Sequence, residues 1–152
     1  MKMISKTKSF TAFPDLSILP DIFKKFPLIQ AAYIFGSVAE GRAEKGSDLD
    51  LAIIPLSPEI RRQRIDILYE LTRAGFDKVD LVFLDTDDIV LKFEVIRLNR
   101  LIYRRKGFDR GQTYSLIVRQ YFDFQPYLKT QREAYKRRIL NGPGRGNQQA
   151  AS

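Results

Sequence analysis

An apolar run that carries acids at its start constrains the fold of this chain more than any other feature. The run LDLAIIP, residues 49–55, has the composition of a buried strand, yet Asp48 precedes it and Asp50 lies within it. Side chains alternate along a strand, so both acids face one way while Leu49 and Leu51 face the other. Burying an unpaired carboxylate is expensive, and like charges this close raise each other's pKa. The two acids therefore either lie at a solvated strand end or hold a cation.

The remaining periodicity predicts strands that alternate with helices. Short apolar runs predict strands at 28–35, 78–85 and 100–105, and helical spacing predicts helices at 15–26, 57–75, 87–99 and 109–140. Alternation of this kind is typical of an α/β or α+β fold in which helices pack on a sheet. We expect a single domain over 15–140, a flexible lead over 1–14 and a disordered tail over 141–152.

Composition excludes several kinds of chemistry. The chain has 152 residues with no Cys and no His, which excludes zinc–thiolate sites, disulfides and imidazole bases. No segment has the length and apolarity of a membrane span or a secretory signal, so a cytoplasmic location and no membrane partner are the default expectations. Any catalysis must then use carboxylates, hydroxyls, Lys or Arg, or a hard metal ion.

The excess of basic over acidic residues lies entirely in the last third of the chain. Residues 101–152 hold 11 Lys and Arg against 3 Asp and Glu, which accounts for the whole net charge of +8. Such a segment indicates an acidic partner, either a protein face or, less favoured, a nucleic acid; a solvated helix face explains it equally well. The densest part is formed by Tyr135 together with Arg132, Lys136, Arg137 and Arg138.

A third acid and a Gly-Ser pair complete a plausible phosphate-handling site. Asp80 lies near the start of the next predicted strand, and three carboxylates on neighbouring strands could hold two Mg²⁺ ions about 3.5–4 Å apart. Gly36 and Ser37 end the first strand, where glycine lets a phosphate approach the backbone and Ser37 adds a hydroxyl. Each element alone is unremarkable. Together they favour phosphoryl or nucleotidyl transfer, with the third acid accepting the proton of the attacking hydroxyl.

The spacing resembles a known family. Gly36–Ser37, ten residues, and then Asp48–Leu49–Asp50 is similar to the G-S-x10-D-x-D signature of the DNA polymerase β-like nucleotidyltransferases. More narrowly, the stretches YIFGSVAEGRAEKGSDLDLAI, VDLVFL and YFDFQP resemble the minimal nucleotidyltransferases (MNT), the antitoxins of HEPN–MNT pairs, over roughly residues 28–128. The resemblance implies the nucleotidyltransferase fold, a small mixed sheet flanked by helices, with a C-terminal helix.

The resemblance also implies roles for individual residues. Asp48, Asp50 and Asp80 would be the catalytic and Mg²⁺-binding acids. The predicted nucleotide-binding residues are Gly36, Ser37, Arg42 and Ser47. Relatives often carry a basic residue between the serine and the second glycine, where this chain has Val38, Ala39 and Glu40; Arg42 is the candidate to replace it.

The substrate and partner are likewise implied by the resemblance. Such antitoxins move AMP from ATP to a tyrosine of their HEPN ribonuclease partner and silence it. Little chain follows Asp80 in which to build an acceptor pocket. This also favours a partner that brings the acceptor, in a hetero-oligomer with the toxin, although a homodimer could form such a pocket as well. Two alternatives stay open: a nucleotidyltransferase that modifies an antibiotic, and an inactive antitoxin that acts by binding alone.

Two further patterns have plainer explanations. Asp85, Asp87 and Asp88 lie at or just before the start of the helix predicted over 87–99, so N-capping explains them better than metal binding. Within YFDFQP, we expect Tyr121, Phe122 and Phe124 to pack on the core, with Pro126 at a bend and Asp123 less favoured as a support of the site.

Overall fold

A computed structural model describes residues 15–44 and 46–141 and places one mixed sheet at the centre of the molecule. Strand β1 (Ile29–Phe35) runs antiparallel to both β2 (Leu49–Pro55) and β4 (Leu101–Arg104). Strand β3 (Val79–Phe83) pairs with β2 in parallel, which gives the order β3-β2-β1-β4. The predicted mixed sheet is confirmed, and every predicted strand is found within two residues of its expected ends.

Helices connect the strands and cover both faces of the sheet. Their bounds are Leu19–Phe23 for α1, Gly36–Ala39 for α2, Arg64–Arg73 for α3, Ile89–Ile96 for α4 and Arg110–Asn141 for α5. A 3₁₀ turn at Leu16–Ile18 leads into α1, and Asp15 caps this turn by accepting a hydrogen bond from the Ser17 N–H at 3.0 Å. None of the helices described is long and apolar enough to cross a membrane.

The segment predicted as one helix over 57–75 is divided in two. Residues Pro58–Gln63 form a 3₁₀ helix and only the following part, α3, is α-helical. The helical spacing of this segment predicts that Ile60, Ile65, Leu68 and Leu71 share its apolar face. For Ile65 this prediction is wrong, because its side chain is 72% exposed. Ile67 and Leu71 are fully buried. They lie four residues apart and therefore stack on one face, whereas Ile65, two residues before Ile67, points away from it.

Helix α5 is continuous through Pro126 and spans 32 residues. Tyr121 stacks on Phe93 of α4 with ring centroids 3.9 Å apart, and Phe124 is half-buried. Phe122 is 56% exposed, so the expectation that it packs on the core is wrong. It follows Tyr121 by one residue, about 100° around the helix, whereas Phe124 follows by three and returns to the packed face.

The structure describes only part of the expected ends of the domain. The predicted lead over 1–14 and the predicted tail from residue 142 onward lie outside the described residues. Helix α5 ends at Asn141, the first residue assigned to that tail. The four basic residues of its last turns, Arg132, Lys136, Arg137 and Arg138, are exposed, as is Tyr135 between them.

The two faces of the sheet bury separate apolar clusters. On one face, Leu49, Leu51 and Ile53 of β2 pack with α1 and α3 and are fully buried. On the other face, Tyr33 and Ala52 pack with residues of α4 and α5. Asp50 alternates with Leu49 and Leu51, so it lies on the second face, at the end where β2 begins.

We predict that Ile67→Ala and Ile65→Ala, two residues apart on α3, have very different effects on stability. Removing the buried Ile67 side chain leaves a cavity and lowers the free energy of unfolding by roughly 2–5 kcal/mol. Removing the exposed Ile65 side chain changes it by less than about 0.5 kcal/mol. Urea unfolding followed by circular dichroism measures both values. Equal losses in the two variants would contradict the observed placement of this helix.

Candidate active site

The three predicted acids meet at one edge of the sheet. Because β2 and β3 are parallel, their first residues lie at the same edge, and Asp50 lies directly opposite Asp80 in the register of the two strands. Asp48 precedes β2 by one residue and points to the same face as Asp50. The structure therefore brings together the two halves of the predicted acid group, which are separated by 30 residues of sequence.

Asp50 is the acid whose pKa this arrangement raises. Its partial burial raises the pKa of the carboxyl group, and the neighbouring charges of Asp80 and Asp48 raise that pKa further. Asp48 and Asp80 are exposed to solvent, whereas Asp50 is half-buried. A positive charge bound between these acids would reverse the repulsion.

Gly36 approaches Asp50 more closely than any other residue type could. Phe35, the last residue of β1, is the register partner of Asp50, and Gly36 follows with φ +73°. A Cβ atom at position 36 would collide with Oδ2 of Asp50. The left-handed backbone favours glycine here, and a Cβ would displace the end of the Asp50 side chain.

Gly36 and the three residues after it form the single turn α2, which a second glycine closes. Gly41 has φ +76°, its N–H bonds to the Val38 carbonyl at 3.2 Å, and the Arg42 N–H bonds to the Ser37 carbonyl at 2.8 Å. These two bonds form a Schellman motif, which ends the turn. Ser37 is half-buried in this turn, directly after the glycine that touches Asp50.

Arg42 and Ser47 occupy the loop between α2 and β2. The Nε of Arg42 donates to Oε1 of Glu40 at 2.7 Å, and the side chain is 63% exposed. The Ser47 hydroxyl accepts the Glu44 N–H at 2.8 Å, which shapes the turn that leads into Asp48. Their contacts with a nucleotide stay predictions, as do those of Gly36 and Ser37.

Three residues near the site were not found from the sequence. The other carboxylate oxygen of Glu40 accepts from Nη2 of Arg97, just after α4, at 2.6 Å, and Nη1 of Arg100 donates to the Ala39 carbonyl at 3.0 Å. Glu40 and Arg97 are 57 residues apart in sequence, and Ala39 and Arg100 are 61 apart, so no local pattern could have revealed these contacts.

The acids suit a metal by their chemistry, but they do not form a closed ligand set. Within residues 15–44 and 46–141, no three acidic side chains converge in the arrangement of a metal centre. Carboxylate oxygens are nevertheless the ligands that Mg²⁺ prefers, and a cation would relieve the charge repulsion at Asp50. The donor set therefore fits Mg²⁺.

Two residues of the second acidic cluster, Asp88 and Asp85, have structural contacts. Asp88 caps α4 by accepting the Leu91 N–H at 3.0 Å, which confirms the N-capping prediction for that residue. Asp85 forms an ion pair with Arg61. Asp123 is exposed on α5.

Comparison with known proteins assigns the class of this fold and site. The polymerase β nucleotidyltransferase family matches residues 18–107, which include β1, α2, β2, β3 and all three acids. The chain belongs to this family of nucleotidyltransferases.

Among individual relatives, the chain is similar to the protein adenylyltransferase MntA of Shewanella oneidensis. The two are 25% identical over 108 residues, which is 71% of this chain and 74% of MntA. A toxin–antitoxin crystal structure with AMP-PNP contains a chain of the same fold, with a TM-score of 0.70, 20% identity, and coverage of 81% of this chain and 99% of that one. A tri-AMPylated Shewanella oneidensis HEPN toxin in complex with its MNT antitoxin aligns with a TM-score of 0.63, 19% identity, and coverage of 80% and 95%.

We predict that Asp50→Asn stabilises the protein when divalent cations are absent, and that the gain depends on pH. The folded state raises the pKa of Asp50, so it disfavours the charged carboxylate relative to the unfolded chain. The gain should be absent at low pH, where both states are protonated. It should appear as pH rises through the ordinary carboxyl range, near 4, and stay constant above the folded pKa.

Urea unfolding in EDTA across this pH range measures the gain for Asp50→Asn. Asp77→Asn, which removes an exposed acid shortly before β3, controls for the general loss of one negative charge. A pH-independent difference between wild type and Asp50→Asn would contradict the assignment.

We predict that Gly36→Ala is more damaging than Gly41→Ala. Both glycines have positive φ, so both variants are strained by about 1–2 kcal/mol. Only the Cβ at position 36 collides with Asp50, since nothing lies within 4 Å of a Cβ at position 41. Denaturant unfolding of each variant measures the difference. Asp50→Ala should reduce the cost of Gly36→Ala in a double-mutant cycle, and an additive result would contradict the contact.

Proposed function

We propose that this protein is the antitoxin of a two-protein pair and that it inactivates a HEPN ribonuclease by transferring AMP from ATP to a tyrosine of that partner. The observation that carries the proposal is the register of Asp50 opposite Asp80, with Gly36 in contact with Asp50. This geometry puts a backbone segment suited to phosphate beside a group of carboxylates, the arrangement that nucleotidyl transfer needs.

The reaction would be a single displacement at the α-phosphorus of ATP. The tyrosine oxygen forms a bond to that phosphorus, the bond from phosphorus to the β-bridging oxygen breaks, and pyrophosphate leaves. The tyrosine proton passes to a carboxylate, for which Asp80 is the candidate because it is exposed beside Asp50. Gly36 and Ser37, with Arg42 and Ser47, would bind the phosphates of ATP.

We further propose that Asp48, Asp50 and Asp80 hold Mg²⁺. When bound, two such ions would neutralise the triphosphate and lower the pKa of the attacking hydroxyl. Burial and the two neighbouring carboxylates disfavour the charged form of Asp50 and raise its pKa. A bound cation would offset this repulsion, so the acids fit the role. The chain itself would contribute the placement of these carboxylates at one edge of the sheet, where β2 and β3 begin.

The choice of a protein acceptor is supported by the relatives of the chain. The similarity to MntA covers 71% of the chain, and the aligned toxin–antitoxin complexes include one with a tri-AMPylated HEPN toxin. We place the reaction in the cytoplasm, because ATP is its substrate.

We predict that a HEPN partner incubated with this protein, ATP and Mg²⁺ gains one or more adenylyl units. Intact-mass spectrometry of the partner measures the gain, and a ribonuclease assay measures its inactivation. The variant Asp48→Asn/Asp50→Asn should lose transfer by at least about a thousandfold, because the charges that organise the triphosphate are gone. Asp87→Asn, which removes an exposed acid outside the site, should transfer as the wild type does.

Three results would contradict the proposal, each in a different way. Full transfer by the Asp48→Asn/Asp50→Asn variant would remove these acids from the mechanism. Inhibition of the ribonuclease without any gain in mass, equally by wild type and variant, would show that the protein acts by binding alone. Transfer of a nucleotide to an antibiotic without any protein partner would assign the small-molecule alternative.

A further inference from the structure

The turn that follows Gly36 is too short to hold its own position. Helix α2 contains four residues, and a single turn of helix fixes several backbone dihedrals for very few hydrogen bonds. One end of the turn is fixed by β1 and by the contact of Gly36 with Asp50. The other end must be fixed by something else if the segment 36–42 is to stay beside the acids.

Three arginines hold that second end: Arg42 and Arg97 meet at the Glu40 carboxylate, and Arg100 holds the neighbouring Ala39. Arg42 and Arg97 bind different oxygens of the Glu40 carboxylate, at 2.7 Å and 2.6 Å, so both oxygens are used. Arg97 is held in turn by Glu94, with Nε and Nη2 each at 3.1 Å from a carboxylate oxygen. Arg100 donates to the Ala39 carbonyl, while its own backbone carbonyl accepts the Ile34 N–H of β1 at 3.0 Å.

This network differs from an isolated surface ion pair. A single exposed pair contributes little, because its side chains stay mobile and well hydrated. The Glu40 side chain is only 21% exposed, and its hydrogen bond with Arg42 lowers the pKa of its carboxyl group below the usual value. Only Nε of Arg42 takes part in that bond, so the two amino groups of the guanidinium face other directions.

We propose that Glu40 is a positioning residue for the nucleotide: it orients the Arg42 guanidinium toward the triphosphate and fixes the segment 36–42 against α4. The proposal rests on the proposed function, since it names how that same site binds ATP. Glu40 itself, as an acid, repels the triphosphate and acts only through Arg42 and the position of the turn.

The sign of one measurement separates positioning from plain electrostatics. If Glu40 were only a negative charge near the phosphates, Glu40→Gln would strengthen nucleotide binding. If Glu40 positions Arg42, the same variant weakens the binding of AMP-PNP with Mg²⁺ by about tenfold. Isothermal titration calorimetry on the full chain measures this affinity. Glu44→Gln, which removes an exposed acid from the same loop, is the matched control and should bind as tightly as the wild type or slightly more so.

Catalysis and coupling provide independent readouts. With the partner present, Glu40→Gln should raise KM for ATP by about tenfold and change kcat by less than about threefold, because the acids are untouched. Arg97→Ala should have a similar effect on affinity. Combining it with Glu40→Gln should cost little more than either change alone, since both remove one connection. Thermal unfolding of each variant checks that the fold is intact.

The outcomes distinguish this proposal from the proposed function. If the wild type binds AMP-PNP and transfers AMP while Glu40→Gln binds equally or more tightly, Glu40 is not a positioning residue and the proposed function stands. If the wild type neither binds AMP-PNP nor transfers AMP, both proposals are overturned. Additive losses from Glu40→Gln and Arg97→Ala would show that the two residues act separately, which also overturns the positioning role.

Discussion

The parallel pairing of β2 with β3 is the constraint on which the rest of the structure depends. Parallel strands begin at the same edge, and in the observed register Asp50 faces Asp80. Such proximity of like charges opposes folding, so other interactions must hold the strands in place. The fully buried side chains of Leu49, Leu51 and Ile53, on the opposite face of β2, supply that stabilisation. One strand thus contributes to the core with one face and to the site with the other.

The alternation of β2 also fixes the register. A shift of one residue would turn Leu49, Leu51 and Ile53 out of their core and place Asp50 inside it, at a large cost in free energy. The central strand β1 adds a second constraint, because its end places Gly36 against the Asp50 carboxylate. The position of the acids is therefore determined by apolar burial and steric contact together. Attraction among the acids plays no part in it.

The sequence was sufficient for features that depend on neighbouring residues. Strand β2 and the capping role of Asp88 follow from alternation and side-chain chemistry within a few residues. The sequence predicts Gly36 as a residue that lets a phosphate approach, whereas the left-handed backbone and the close contact with Asp50 come only from the structure. The face of α3 was misjudged at Ile65 because the 3₁₀ segment before it hides where the α-helical periodicity starts. Strand order and the contact of Glu40 with Arg97 depend on tertiary packing, which a single sequence does not encode locally.

No basic residue lies between Ser37 and Gly41, and the contacts of α2 show how arginines from outside this stretch reach it. An acid at position 40 would by itself make this turn a poor place for a triphosphate. Arg97 and Arg100, which follow α4, bring two guanidinium groups to the same turn from a distant part of the chain, and Arg42 adds a third. Positive charge is therefore supplied through tertiary contacts where the local sequence lacks it. Under our proposal the acid has a purpose, because a carboxylate can hold two guanidinium groups in fixed directions and a basic residue at that position could not.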